Sequence, residues 1–155
     1  MGKHPVREGY STPTPYLSVN DGARAIDFYE RAFGARVRSR IEAPNGAIGH
    51  AELEIGDSLI MLCDGLPHFA HRPPSELGGT SVGIFVYFDD VDAAVGRAVE
   101  AGATVTTEAA DLVWGDRFGV VTDPFGHVWL MATHVEDLAP EEITARGKAA
   151  MSPNS

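Results

Sequence analysis

The sequence predicts an α+β protein built from two copies of a βαβββ module. Two segments, SVNDGARAIDFYERAFGARV at 18–37 and VYFDDVDAAVGRAVEAGATV at 86–105, align without a gap at an interval of 68 residues. Each has a short β-type run, an aspartate suited to cap a helix, apolar residues at helical spacing, and a glycine suited to end that helix. Three further β-type runs complete each copy.

The strands of each copy are delimited by turn signals. Asn45-Gly46 and Gly56-Asp57 suit hairpin turns, and Asp123-Pro124-Phe125-Gly126 suits a type I turn. The expected strands are 14–19, 36–42, 47–55 and 58–63 in the first copy, and 81–88, 104–108, 115–122 and 127–132 in the second. A short amphipathic helix is expected over 140–151, and the last four residues are expected to be disordered.

A chain of 155 residues corresponds most simply to one domain with flexible ends. We expect a flexible N-terminus at 1–12, a single domain at 13–136, and a tail at 137–155 that holds the short helix. Within the domain, module one covers 13–64, a linker covers 65–80, and module two covers 81–136.

Composition excludes several classes of function. A net charge of −10 argues against nucleic-acid binding, which needs clustered Lys and Arg, and could favour a cationic ligand. No apolar run reaches the length of a membrane span, and the first residues lack the apolar core of a signal peptide. The lone Cys63 excludes an internal disulfide framework and fits a reducing compartment. A cytoplasmic protein without membrane contact is therefore expected.

Four motifs carry a resemblance to a known family. They run from Thr12 to Ala35, from His50 to Asp64, from Asp90 to Ala103, and from Trp114 to His134. With the paired βαβββ modules, they resemble the vicinal oxygen chelate superfamily (glyoxalase/bleomycin-resistance/dioxygenase), and most closely its PhnB-like branch. The resemblance implies a cup-shaped mixed sheet with helices on the outside, and a homodimer. It is a weak guide to function, because one fold carries many chemistries.

In enzymes of this superfamily, the first and last strands of each module supply His and Glu ligands to a divalent metal. Matched to this chain, those positions are Thr14, Met61, Gly83 or Phe85, and Leu130. None of these side chains is one that divalent metals prefer. The resemblance therefore implies that the usual metal site is absent and that no cofactor is expected. A divalent metal held by a displaced ligand set is the alternative.

Strand alternation assigns side chains to two faces of the first sheet. The Gly56-Asp57 turn pairs Ile55 with Ser58, which puts His50, Glu52, Met61 and Cys63 on the face toward the cup. His50 and Glu52 are the best candidates for a metal pair or a general base. A bulged Asn45-Gly46 turn would place Arg36, Arg38 and Arg40 opposite His50, Glu52 and Glu54 as charge pairs. A structural or substrate-orienting role for His50 is therefore favoured over a catalytic one.

The remaining histidines and the cysteine carry no chemistry at this stage. His68 and His71 in the linker, and His127 and His134 near the last strand, share no face at metal-ligand spacing and read as surface or loop residues. Spacing reveals no Cys–His arrangement for Cys63, and a buried thiol is the default interpretation.

Aromatic side chains supply the expected pocket wall. Pairing of residue 122 with 128 turns Trp114, Phe118 and Leu130 inward, whereas Trp129 faces the helix layer and Arg117 lies outward. The expected ligand-binding residues are Tyr16, His50, Met61, Phe85, Tyr87, Trp114, Phe118 and Leu130. Such a cup could bind a small molecule or could be filled by its own side chains.

Two functions are carried forward from the sequence. The first is a metal-independent protein that resembles bleomycin-resistance members and binds a small, cationic aromatic molecule. The second is a lyase, isomerase or dioxygenase with displaced metal ligands around His50 and Glu52, or a metal-free acid–base catalyst at the same residues. Nothing in the sequence identifies the ligand or substrate, and no heterologous partner is suggested.

Overall fold

A computed structural model of the chain describes residues 5–152, and in it the expected elements form in the expected order. The strands are β1 (Tyr16–Ser18), β2 (Arg36–Glu42), β3 (Ile48–Ile55), β4 (Ser58–Cys63), β5 (Gly83–Tyr87), β6 (Thr104–Asp111), β7 (Asp116–Thr122) and β8 (Val128–His134). The helices are α1 (Gly22–Phe33), α2 (Pro74–Leu77), α3 (Val91–Ala101) and α4 (Pro140–Ala150). The flexible start and disordered end expected from sequence lie partly outside the described residues.

Each module has its own four-stranded mixed sheet. The strand orders are β1-β4-β3-β2 and β5-β8-β7-β6, with the first two strands of each order parallel and the others antiparallel. The expected pairings of Ile55 with Ser58 and of Thr122 with Val128 are confirmed. The α+β fold of two βαβββ modules is therefore confirmed, with two separately hydrogen-bonded sheets. The first compact unit includes residues up to Ser81 and residues 124–127, and the second includes 82–123 and the chain from Val128 onward.

The two module helices begin and end where their capping residues predict. The Asp21 and Asp90 side chains accept hydrogen bonds from backbone N–H groups at the starts of α1 and α3, and Gly34 and Gly102 end these helices at positive φ. The N-caps are 69 residues apart and the glycines 68 apart. The alignment at a constant interval of 68, which matched Asp21 with Asp89, is therefore wrong at the helix start, because α1 is one residue longer than α3.

The helix-facing side of each sheet is a dry apolar core. In module one, helix α1 supplies large side chains, with Phe28 and Tyr29 at most 1% exposed. In module two, helix α3 supplies small ones, and the sheet supplies Trp129 and Met131, both fully buried. Trp129 is therefore a core residue, as expected.

The arginines of β2 do not form the expected ladder. Arg36 Nη2 lies 3.0 Å from Glu54 Oε1, as expected. A bulge inside β2, between Val37 and Ser39, then shifts the register so that Ser39 lies opposite Glu52. The prediction that all three arginines face the acidic strand through a bulged turn is wrong, because this shift occurs within the strand.

The remaining segments lie at the ends of the modules. The linker contains a 3₁₀ turn (Pro67–Phe69) and the short helix α2, neither of which the sequence predicted. Helix α4 matches the expected tail helix and has no buried residue. Within residues 5–152, no helix combines the length and apolar content that crossing a bilayer requires.

Candidate functional site

The first sheet carries a chain of hydrogen-bonded polar side chains on the face away from α1. Tyr16 Oη lies 2.8 Å from His50 Nδ1, and His50 Nε2 lies 3.3 Å from Glu52 Oε1. With a neutral imidazole, both contacts are satisfied when the Tyr16 hydroxyl donates to Nδ1 and Nε2–H donates to the carboxylate. Only 5% of the Glu52 side chain is exposed, against 26% for His50. The sequence candidates His50 and Glu52 thus lie together, and the structure adds Tyr16 to them.

Residues before the first strand hold the Glu52 carboxylate. The Tyr10 hydroxyl donates a hydrogen bond to Glu52 Oε2, and Arg7 Nη1 lies 3.5 Å from Oε1. The pKa of Glu52 is lowered from its ordinary value, first by the hydrogen bond from Tyr10 and then by those from His50 and the charge of Arg7. The buried carboxylate is therefore stabilised as an anion. Sequence reasoning missed Tyr10 and Arg7 because they precede every predicted strand.

A second histidine lies on the other side of Tyr16. His71 Nε2 is 2.9 Å from the Tyr16 carbonyl oxygen, and its Nδ1 is 3.6 Å from Cys63 Sγ. Burial raises the pKa of the Cys63 thiol, and burial also raises the pKa of Tyr16 to about 12. The interpretation of His71 as a loop residue without a cysteine partner is wrong, because the linker folds back onto β1. His127 is also engaged, with Nε2 2.8 Å from the Ser18 carbonyl oxygen.

The second sheet presents an aromatic surface on its face away from α3. We call Phe85, Tyr87, Trp114 and Phe118 the aromatic face. The Phe85 ring centroid lies 5.1 Å from that of Tyr87 and 5.8 Å from that of Phe118, and the Trp114 and Phe118 centroids are 6.0 Å apart. Tyr87 is 61% exposed, Phe85 45% and Trp114 39%. All four were expected from sequence, and the structure brings them together.

A buried carboxylate lies among these rings. Asp116 is 4% exposed and accepts hydrogen bonds from the Tyr87 hydroxyl, Trp114 Nε1 and His134 Nδ1, at 3.2, 3.1 and 2.9 Å. His134 also contacts Asp137 through Nε2 at 2.8 Å. Hydrogen bonds to Asp116 and Asp137 raise the pKa of His134. Asp116 thus fixes two aromatic side chains and a histidine that the sequence had placed at the surface without a partner.

The other predicted positions divide as strand alternation requires. Leu130 pairs with Phe85 in the register of the second sheet, and Met61 pairs with Tyr16 in that of the first. Arg117 lies off the aromatic face and contacts Asp92 and Asp111 at 2.6 and 3.1 Å. Of the eight expected ligand-binding residues, Tyr16, His50 and Met61 thus belong to module one, and the other five belong to module two.

The family's metal-ligand positions hold no metal-binding group in this chain. Across β1 and β4, the residue opposite Met61 is Tyr16, and Thr14 precedes the strand. Among residues 5–152, no group of three or more His, Cys, Asp or Glu side chains is arranged to hold a metal ion. His50 and Glu52 supply two donors, and Tyr10 and Arg7 also contact the carboxylate. The described residues therefore do not fit the metal that the family's enzymes bind.

Comparison with known proteins identifies the family. A model of the Glyoxalase/Bleomycin resistance protein/Dioxygenase superfamily matches residues 11–131. The chain therefore belongs to this superfamily.

Its relatives include bacterial and plant proteins. The chain is 45% identical over 135 residues to Mycobacterium bovis protein Mb0911c, covering 85% of this chain and 89% of the relative. TioX from Micromonospora sp. ML1 superposes with a TM-score of 0.62 at 31% identity, covering 83% of this chain and all of TioX. The Arabidopsis thaliana product AT5G48480 gives a TM-score of 0.63 at 28% identity, covering 79% and 98%. These similarities establish family and fold.

Proposed function

We propose that the protein binds a small aromatic molecule, with a preference for a cation, on the aromatic face of module two and without a metal. The observation that supports this proposal is the exposure of Phe85, Tyr87 and Trp114 side by side. Adjacent exposed rings on one sheet face are a typical feature of a recognition surface, because a planar ligand can stack on them and remove apolar area from water.

The charge around Asp116 supports a cationic ligand. Asp116 and Asp137 are two carboxylates bridged by His134, so the cluster stays negative even when the imidazole is protonated. The chain as a whole carries a net charge of −10, which would attract cations toward its surface. The hydrogen bond from Trp114 Nε1 to Asp116 fixes the indole ring before any ligand arrives, which lowers the entropy cost of binding.

The test is titration of tryptophan fluorescence with 9-aminoacridine, a planar cation, and with acridine, its neutral analogue at mildly alkaline pH. We expect quenching by the cation in the wild type and strong loss of quenching in Trp114→Phe, because Trp129 is fully buried. Phe85→Ala should weaken binding by about three- to tenfold through the loss of ring contacts. Asp116→Asn should reduce the preference for the cation.

Phe69→Ala is the matched control, because Phe69 is 80% exposed in the linker and lies outside the aromatic face. It should bind both acridines as the wild type does. Equal binding by the wild type and Phe85→Ala would contradict the proposal, as would the lack of any response to the cation.

The alternative function, a metal-dependent lyase, isomerase or dioxygenase around His50 and Glu52, has weaker support, because those two side chains lack a third metal-binding neighbour among the described residues. Metal analysis of protein purified without chelators tests it. A stoichiometric transition metal that is lost in His50→Ala would favour the enzyme over metal-free binding. Homodimer formation, a cytoplasmic location and membership of the PhnB-like branch stay predictions.

A further inference from the structure

The two sheets can be superimposed residue by residue from their hydrogen-bond registers. Met61 pairs with Tyr16 in the first sheet, and Leu130 pairs with Phe85 in the second. Across the antiparallel neighbour, Met61 also pairs with Glu52, and Leu130 pairs with Val120. Tyr16 is therefore the counterpart of Phe85, and Glu52 is the counterpart of Val120.

The same superposition matches His50 with Phe118, since each lies two residues before the matched position on its strand. Module one thus holds Tyr, His and Glu where module two holds Phe, Phe and Val. Because module two forms the same sheet with apolar side chains, the fold does not require polar groups at these positions. A buried carboxylate also carries a desolvation cost that an apolar side chain avoids. The polar set therefore calls for a chemical explanation.

We propose that Tyr16, His50 and Glu52 form a proton-acceptor relay, which takes a proton from an acidic hydroxyl of a phenol or enol bound at the Tyr16 oxygen. The substrate O–H bond breaks as a new O–H bond forms at Tyr16 Oη. The original Tyr16 proton passes to His50 Nδ1, which leaves the substrate as an anion and His50 as an imidazolium. This activity goes beyond ligand binding at the aromatic face.

The contacts set the direction of this transfer. His50 Nε2 faces a carboxylate, so the imidazolium that forms at the end of the step is stabilised where it stands. Tyr10 and Arg7 hold that carboxylate as an anion, which lowers the pKa of Glu52. Tyr16 passes the proton on without remaining as a phenolate, since burial raises its pKa to about 12. Tyr16 is thus the catalytic residue, and His50 and Glu52 are positioning residues.

Tyr16 Oη is the group that can meet a substrate. Both nitrogens of His50 are engaged, and Glu52 is buried and also contacted by Tyr10 and Arg7. A hydroxyl that donates its own proton keeps lone pairs free to accept another. The other titratable groups around the relay are Tyr10 and Arg7 on Glu52, and Cys63 and His71 on the far side of Tyr16.

The test uses 4-nitrophenol as the probe, because its protonated and anionic forms have different absorption spectra. In a pH series with saturating wild-type protein, we expect the bound probe to ionise at a pKa about one unit below that of the free probe, about a tenfold change in its ionisation ratio. Tyr16→Phe and His50→Gln should abolish the shift, and Glu52→Gln should reduce it. A side chain that only supports the fold would not move this spectroscopic midpoint.

Two controls keep the test decisive. Phe85→Ala should leave the shift unchanged, which separates the relay from ligand binding at the aromatic face. The triple variant Tyr16→Phe/His50→Phe/Glu52→Val copies module two, so it should fold and lose the shift. The relay is overturned if the wild type produces no shift, or if His50→Gln and Tyr16→Phe shift the probe as the wild type does.

Discussion

Module one and module two share a backbone plan but distribute their large side chains differently. In module one, helix α1 brings Phe28 and Tyr29 to the core, and the sheet face away from that helix carries polar groups. In module two, helix α3 brings only small buried residues such as Ala94 and Ala98, and the sheet supplies Trp129 instead. The core volume is thus filled from the helix in one module and from the sheet in the other.

The common features of the modules show what the fold itself requires. Both have a capping aspartate, a terminal glycine and a β-bulge at the same place, between Val37 and Ser39 and between Val105 and Thr107. The face away from the helix follows no shared pattern, with a polar relay in one module and an aromatic face in the other. We infer that this face is where the chain carries its function.

The largest expected effect tests the division of module two into core and open face. Trp129→Ala should lower the free energy of unfolding by about 3–5 kcal/mol, because it leaves a cavity and removes the donor to the buried Asp123. Phe85→Ala, on the opposite face, should lower it by less than about 1 kcal/mol, because this ring is already half exposed. Denaturant titrations followed by circular dichroism compare the two, and equal losses would contradict the assignment of faces.

The next effect compares the hairpin turns that close the two sheets. Gly126 has φ +89°, and a Cβ atom there would lie 2.8 Å from Pro74 Cβ, whereas Gly56 has φ +59° and no neighbour within 4 Å. Gly56→Ala should cost about 1–2 kcal/mol for the left-handed backbone alone. Gly126→Ala should cost about 1–3 kcal/mol more, because Pro74 must move.

The same denaturant titrations measure both glycine variants. A Gly126→Ala protein no less stable than Gly56→Ala would show that the turn at 123–126 yields without cost, and that its contact with the linker does not constrain it.

The local order of the sequence was enough to predict the fold. Caps, turns and strand alternation are read from neighbouring residues, so the strands, their registers and the helix-facing side of Trp129 could be predicted. The bulge within β2 could not, because no residue there announces it, and the arginine ladder was wrong for this reason.

The candidate sites were predicted only in part. Alternation placed Tyr16, His50 and Glu52 on one face, but the contacts of Tyr10 with Glu52 and of His71 with Tyr16 join segments 42 and 55 residues apart. Such contacts depend on how loops fold back onto a sheet, and no periodic pattern encodes them. Asp116 was missed for a related reason, since its three donors come from separate stretches of the chain.

The smallest expected effect separates the two buried carboxylates. Glu52 is held by Tyr10 and Arg7, and its lowered pKa means that its stabilising contribution is lost only in acid, as the pH falls through that pKa. Asp116 is held partly by His134, whose pKa is raised above its ordinary value. The stability from protonated His134 is complete below the ordinary histidine pKa and is lost as pH rises through the raised one. A change from slightly acidic to alkaline pH therefore acts on module two alone.

Ligand binding should report this change more clearly than stability, because His134 is exposed and its ion pairs are screened by solvent. Loss of its proton leaves Asp116 and Asp137 less compensated, so affinity for 9-aminoacridine should rise modestly between about pH 6 and about pH 8, where the ligand stays cationic. His134→Gln should bind the cation with a flat pH profile over the same range, and His50→Gln should keep the wild-type rise. If His134→Gln retains the rise, another group titrates near the aromatic face, and the charge of the Asp116 cluster does not set its preference for cations.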